Sequence, residues 1–97
     1  MALFETPDGQ DVEEGDYLVV EDEHGEPVEA IEFFVDEEED VVRFEPARKK
    51  DRYPVGHFQR EEPEWMTETL AEHHPPEEYD YEVRSSLTEK LRTKLGL

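Results

Sequence analysis

The stretch Val28-Glu29-Ala30-Ile31-Glu32-Phe33-Phe34-Val35 decides the fold. Its β-branched and aromatic residues suit an extended strand, whose side chains alternate between two faces. Ile31, Phe33 and Val35 fall on one face, while Val28, Ala30 and Phe34 fall on the other. A strand that is apolar on both faces is either covered twice or sharply bent. Upstream, Tyr17-Leu18-Val19-Val20 follows Gly15-Asp16 and runs into a polar stretch with Gly25 and Pro27, a strand and its turn. Downstream, Val41, Val42 and Phe44 follow the acidic run Asp36-Glu37-Glu38-Glu39-Asp40. Together the three segments predict an antiparallel meander, with Val19, Ile31, Phe33, Val35, Val42 and Phe44 in its core.

Weaker strand candidates flank the meander: Leu3-Phe4, Pro54 to Phe58, and the alternating run Tyr79, Tyr81, Val83. A helix is expected from Pro63, which suits a first helical position, with Glu61, Glu62 and Glu64 near its positive end. Trp65, Met66, Thr69, Leu70 and His73 share one face of it, Leu70 completing the core, and Pro75-Pro76 ends it. A second helix is expected from Ser86, which has capping-box spacing to Glu89, with the stripe Leu87, Leu91 and Leu95 and a stop at Gly96. Strands followed mainly by helices imply an α+β domain: a small, curved, antiparallel, barrel-like sheet with two helices towards the C-terminus. A chain of 97 residues has room for one core, so residues 1–97 are read as a single domain. Residues 1–60 are expected to be mainly β, and 61–97 mainly helical with a strand candidate at 79–83.

The core must be lean, because apolar residues make up 34% of the chain and charged residues 40%, against roughly 45–50% and 25% in ordinary globular domains. No run of about 18 apolar residues could span a bilayer, and no apolar stretch near the start resembles a signal peptide; a cytoplasmic location is expected. The chain has no cysteine, which excludes disulfides, thiolate metal sites and thiol nucleophiles.

The net charge is −19, about one net negative charge per 300 Å² of a folded surface of this size. Such a density opposes compaction unless ions screen it. Two causes compete: a solvent of molar salt, or an acidic surface that imitates DNA. The richness in Glu and Asp, the scarcity of Lys and the low apolar content resemble cytoplasmic proteins of haloarchaea, a likeness of composition that favours the first cause. Val12-x-x-Gly15-Asp16-Tyr17 is similar to the turn that enters the first long strand of SH3-like and PRC-type small barrels, a likeness confined to the first half of the chain.

The charge is unevenly placed. Residues 1–42 and 61–82 contain no Lys or Arg, so all ten bases fall in 43–60 and 83–97. Within the first basic segment, Arg48-Lys49-Lys50-Asp51-Arg52-Tyr53 with His57 and Phe58 offers cations for phosphates and rings for stacking, as single-strand binders do. The competing reading is that these bases lie against carboxylates of the same fold. Salt weighs against nucleic acid: neutralising about four phosphates would give a slope near −3.6, costing roughly 10⁴ to 10⁵ in affinity between about 0.1 and 2 M.

Other chemistry is poorly supported. His24, His57 and the pair His73-His74 lack metal-ligand spacing. The acidic run 36–40 lacks the ligand pattern of a calcium loop, which leaves diffuse cation binding at a solvated hairpin tip. The glycines are isolated, so no phosphate-cradling loop exists, and Ser85 and Ser86 sit at a helix cap. No catalytic residue, cofactor or metal site is expected. The chain therefore reads as a salt-adapted protein-binding or adaptor module, with Arg48, Lys49, Lys50, Arg52, Tyr53, His57 and Phe58 as contact candidates. The alternatives are a nucleic-acid-associated protein using 48–52 and an acidic DNA mimic.

Overall fold

The structure is a computed structural model and describes residues 2–85. The meander is present as β3 (Asp16–Glu21), β4 (Pro27–Asp36) and β5 (Val41–Pro46). Gly25, at φ 77°, takes a left-handed conformation in the β3–β4 turn, and Asp22 closes that turn by accepting the N–H groups of His24 and Glu26. Asp36 organises the acidic β4–β5 tip likewise, accepting from Glu38 and Glu39 while its second oxygen receives Arg43 Nε at 2.7 Å.

Two further strands widen the sheet, β6 (Gly56–Gln59) beside β5 and β7 (Asp80–Ser85) beside β3. The result is a five-stranded antiparallel sheet in the order β6-β5-β4-β3-β7. A separate pair, β1 (Phe4–Glu5) and β2 (Asp11–Val12), and the helix α1 (Glu64–His73) lie against its core face. Register puts Leu18 opposite Ile31, Phe33 opposite Phe44, and Val42 opposite Phe58. These apolar side chains meet Phe4, Val12, Met66, Leu70 and Tyr81 in one core.

The α+β expectation with two helices is corrected. The described residues are mostly β, 43% strand and 12% helical, with one helix among them. The physical reason is that the short apolar segments flanking the meander pair as strands: Phe4 with Val12, Phe58 with Val42, and the strand candidate at 79–83 as β7, whose alternation of Tyr81 and Val83 with charged residues puts two apolar side chains opposite Val20 and Leu18. The second expected helix, from Ser86 through Leu87, Leu91 and Leu95, lies outside the described residues. Nor is the sheet a closed barrel among the described residues; β6 and β7 end its strand order on opposite sides.

Of the expected core, Val19, Ile31, Phe33, Val42, Phe44 and Leu70 are buried, and Val35 is half-buried. Leu18 and Val20 pack into the core from β3, whereas Val19 lies on the opposite face with Ala30, buried but outside the core cluster. The doubly apolar reading of β4 thus has a counterpart in burial on both faces, although Phe34 remains 40% exposed.

Candidate functional site

The basic segment begins where β5 ends. Ala47 donates its N–H to the Ala30 carbonyl at 2.7 Å, and the Ala30 N–H donates to Asp51 Oδ2 at 3.0 Å. Asp51 also receives the Arg48 guanidinium, with Nη2 2.6 Å from Oδ1 and Nε 3.0 Å from Oδ2. Burial alone would push the Asp51 carboxyl up, but the guanidinium and the Ala30 amide outweigh it and hold it below the usual range. Loop 47–55 is therefore clamped to the first half of β4.

Tyr53 anchors the other end of this loop. Its ring is 4% exposed and packs edge-on against Phe44 and His73, at centroid distances of 6.0 and 5.3 Å, and stacks on His74. Burial, and then the nearby Glu29 carboxylate, push its phenol up to about 12. Glu29 shares the core face with Ile31 and Phe33; burial first and Asp51 second raise its carboxyl. His74 is lowered by burial and then by His73. Glu29 Oε2, Tyr53 Oη and His74 Nδ1 are buried without a hydrogen-bond partner among the described residues. By contrast, Tyr81 Oη donates to the carbonyls of Leu70 and His74 and so ties β7 to the end of α1.

The contact candidates thus separate into buried and exposed members. Tyr53 and Phe58 belong to the core, and Arg48 is held by Asp51. Lys49, Lys50, Arg52 and His57 are exposed, and no ion pair among the described residues includes these three Lys and Arg side chains. Arg43, Arg60 and Arg84 pair with Asp36, Asp40 and Glu82. Among the described residues, the Lys and Arg side chains outside any ion pair are therefore those of the loop that leads into β6.

Strand β6 is an edge strand, bonded only to β5 among the described residues. It reads Gly56-His57-Phe58-Gln59, with no acid and no Lys or Arg, and Arg60 follows it. Gly56 is needed there, because a Cβ at that position would lie 2.7 Å from Phe44 Cζ. Two exposed apolar side chains adjoin the strand. Val55 precedes it at 74% exposure, and Trp65 of α1, 44% exposed, stacks on Phe58 at 6.4 Å and lies 6.2 Å from Phe44. On the opposite face, register aligns His57, Arg43 and Phe34 in one row across three strands. Trp65 was expected in the helix's apolar stripe, but its role at the edge could not be read without the strand order, and neither could those of Val55, Phe34 and Arg60.

A hollow of about 580 Å³ lies between the β1–β2 pair and α1, lined by Phe4, Glu5, Asp11, Pro63, Glu64 and Thr67 among others. Four carboxylates and no base line it, and no group of three or more metal-ligating side chains occurs among the described residues. No helix there is long and apolar enough to cross a membrane.

The fold and this edge define a small antiparallel β domain with a basic and apolar margin on an acidic body. The chain is similar to no family model, no curated protein and no solved structure.

Proposed function

We propose that the chain is a protein-binding or adaptor module that engages its partner along the β6 margin. The observation that carries this reading is a coincidence of features: Lys49, Lys50 and Arg52, which join no ion pair among the described residues, lie in the loop that leads into an uncharged edge strand, with exposed Val55 and Trp65 beside that strand. Edge strands are ordinarily protected by charge, and aromatic and apolar side chains lose water most readily at interfaces. The burial of Tyr53 and Phe58 removes the stacking rings of the basic segment from the surface, which favours a protein over a single-stranded nucleic acid.

The test is photo-crosslinking in extract of the native cell, with the reactive side chain at Val55 and, as a control, at exposed Glu14. A protein adduct formed from position 55, absent from position 14 and lost in Trp65→Ala, supports the reading. A nucleic-acid adduct would replace it with the alternative that uses residues 48–52, and equal labelling from both positions would overturn it.

A further inference from the structure

Resting on the reading of β6 as the binding margin, we propose that the partner is an acidic, extended peptide segment that adds to β6 as a sixth strand. An edge strand presents backbone N–H and C=O groups that an incoming strand can satisfy, and its side chains then alternate between the two faces of the sheet. At β6 those faces differ. On the core side stands Trp65, laid over Phe58, while exposed Val55 immediately precedes the strand. The outer side carries His57, next to Arg43 in the same row.

A peptide that fits both faces alternates an apolar residue towards Trp65 with an acid towards His57. Cations also flank the strand along the chain: Lys49, Lys50 and Arg52 lie in the loop that leads into β6, and Arg60 follows it. Arg60 is already engaged with Asp40 at 3.2 Å, so the stronger attraction lies at the loop end. Charge complementarity also disfavours a second copy as the occupant. Two chains of net charge −19 repel, and pairing β6 with β6 would bring Lys49, Lys50 and Arg52 of each copy towards the other's cations or leave them unmatched. The short edge accommodates about four residues, roughly 13 Å of strand, so charge and the Trp65 contact must supply much of the specificity.

Trp65 is the single tryptophan and therefore reports on its own site. The full chain is titrated with an alternating Asp-Val octapeptide, with its Lys-Val counterpart, and with an Asp-Val peptide N-methylated at alternate residues, while Trp65 emission is followed. The Asp-Val peptide should shift the emission, and the other two should bind at least about tenfold more weakly. Reversing the exposed loop charges, Lys49→Glu with Lys50→Glu and Arg52→Glu, should weaken the Asp-Val peptide by about tenfold and bring the Lys-Val peptide closer to it.

Equal binding of the N-methylated peptide would overturn strand addition, and equal binding of the Lys-Val peptide would overturn the acidic class. If no peptide binds while the Val55 adduct still forms, the extended-peptide inference fails and the binding margin stands. If the Val55 adduct is itself absent, the margin fails. Concentration-dependent sedimentation of the chain alone, abolished by Trp65→Ala, would assign the edge to a second copy instead.

Discussion

Arg48 donates to both carboxylate oxygens of Asp51, while Asp51 Oδ2 also accepts the Ala30 N–H of a neighbouring strand. The Asp51 side chain is 1% exposed, so this pair is structural and commits one base of the basic segment to the fold. Asp51→Ala would strand the Arg48 guanidinium and the Ala30 amide together. The expected loss is about 3–5 kcal/mol. Asp51→Asn keeps an acceptor for Ala30 and should lose less. Urea unfolding of both variants checks the order, and equal losses would show that the Ala30 bond contributes nothing.

The same pair has a pH signature. Because the Asp51 carboxyl is held below its ordinary value of 3.8, its contribution is present above that value and is lost as pH falls through the folded one. Acid unfolding of the parent should steepen below about pH 4, and Asp51→Asn should flatten that limb. Superimposable acid limbs would contradict the assignment.

Gly56 and Phe44 face each other across β6 and β5, with the phenyl ring over the glycine. Gly56→Ala forces the ring to move within a packed aromatic cluster that includes Tyr53, Phe58 and Trp65, at a cost of about 1–3 kcal/mol. Phe44→Leu alone should also destabilise, yet the double variant should lose less than the two single losses together, because the smaller side chain leaves room for the new methyl group. Strict additivity in a denaturation cycle would mean that the two residues do not press on each other.

Much of this arrangement was legible in the sequence, and the reasons for the remainder are physical. Period-two alternation located β7, where Tyr81 and Val83 alternate with charged residues, whereas β3, β4 and β5 were legible as short apolar runs between turn signals because each buries side chains on both faces, as Leu18 and Val19 do in β3. The two-residue strand β2 was missed, since Asp11-Val12 is too short to show a period, although Val12 is fully buried. Trp65 shares a helical stripe with Met66 and Leu70, but it sits at the margin over Phe58 and stays half in water. The character of β6 was hidden for a different reason. Edge position depends on which strands pair, and the pairing of β7 with β3 joins residues as far apart in sequence as Asp16 and Ser85.

Below the margin, His74 and Glu29 should titrate against each other in their effect on stability. Burial and then His73 lower His74 from 6.5, so its neutral form is favoured in the fold. That contribution is present above pH 6.5 and is lost as pH falls through the folded value, where the unfolded chain binds the proton more readily. Glu29 is raised from 4.5, so its ionised form opposes folding at neutral pH, and acidification relieves the penalty. His74→Phe, which keeps a ring on Tyr53, should flatten the fall in unfolding free energy between about pH 7.5 and 5.5. Glu29→Gln should stabilise the chain at pH 7 by up to about 1 kcal/mol, because it removes a buried charge beside Asp51. An unchanged pH slope in His74→Phe would assign the dependence to other groups.

The net charge of −19 predicts that folding depends on salt. The four Arg ion pairs of the described residues neutralise only a small part of 29 acids, and three of the four are local, joining residues within one turn, hairpin or strand. Repulsion among the remaining carboxylates acts over about 10 Å at 0.1 M salt but over only about 3 Å at 1 M, so screening removes most of it. The apolar core is small for the chain, at 34% apolar residues, and excluded salts also strengthen the burial that it achieves. Exposed ion pairs such as Arg60–Asp40 weaken in the same salt, but each contributes at most about 1 kcal/mol, and the summed repulsion outweighs them. Thermal unfolding followed by circular dichroism at about 0.05, 0.5 and 2 M KCl should therefore show a melting temperature that rises throughout the series. Exchanging Glu37, Glu38 and Glu39 of the β4–β5 tip for Gln should raise the low-salt value and leave the high-salt value nearly unchanged, because those side chains are removed from a cluster that salt already screens. A melting temperature that stays flat with salt would separate the acidity from folding stability and turn the explanation towards an acidic surface that imitates DNA.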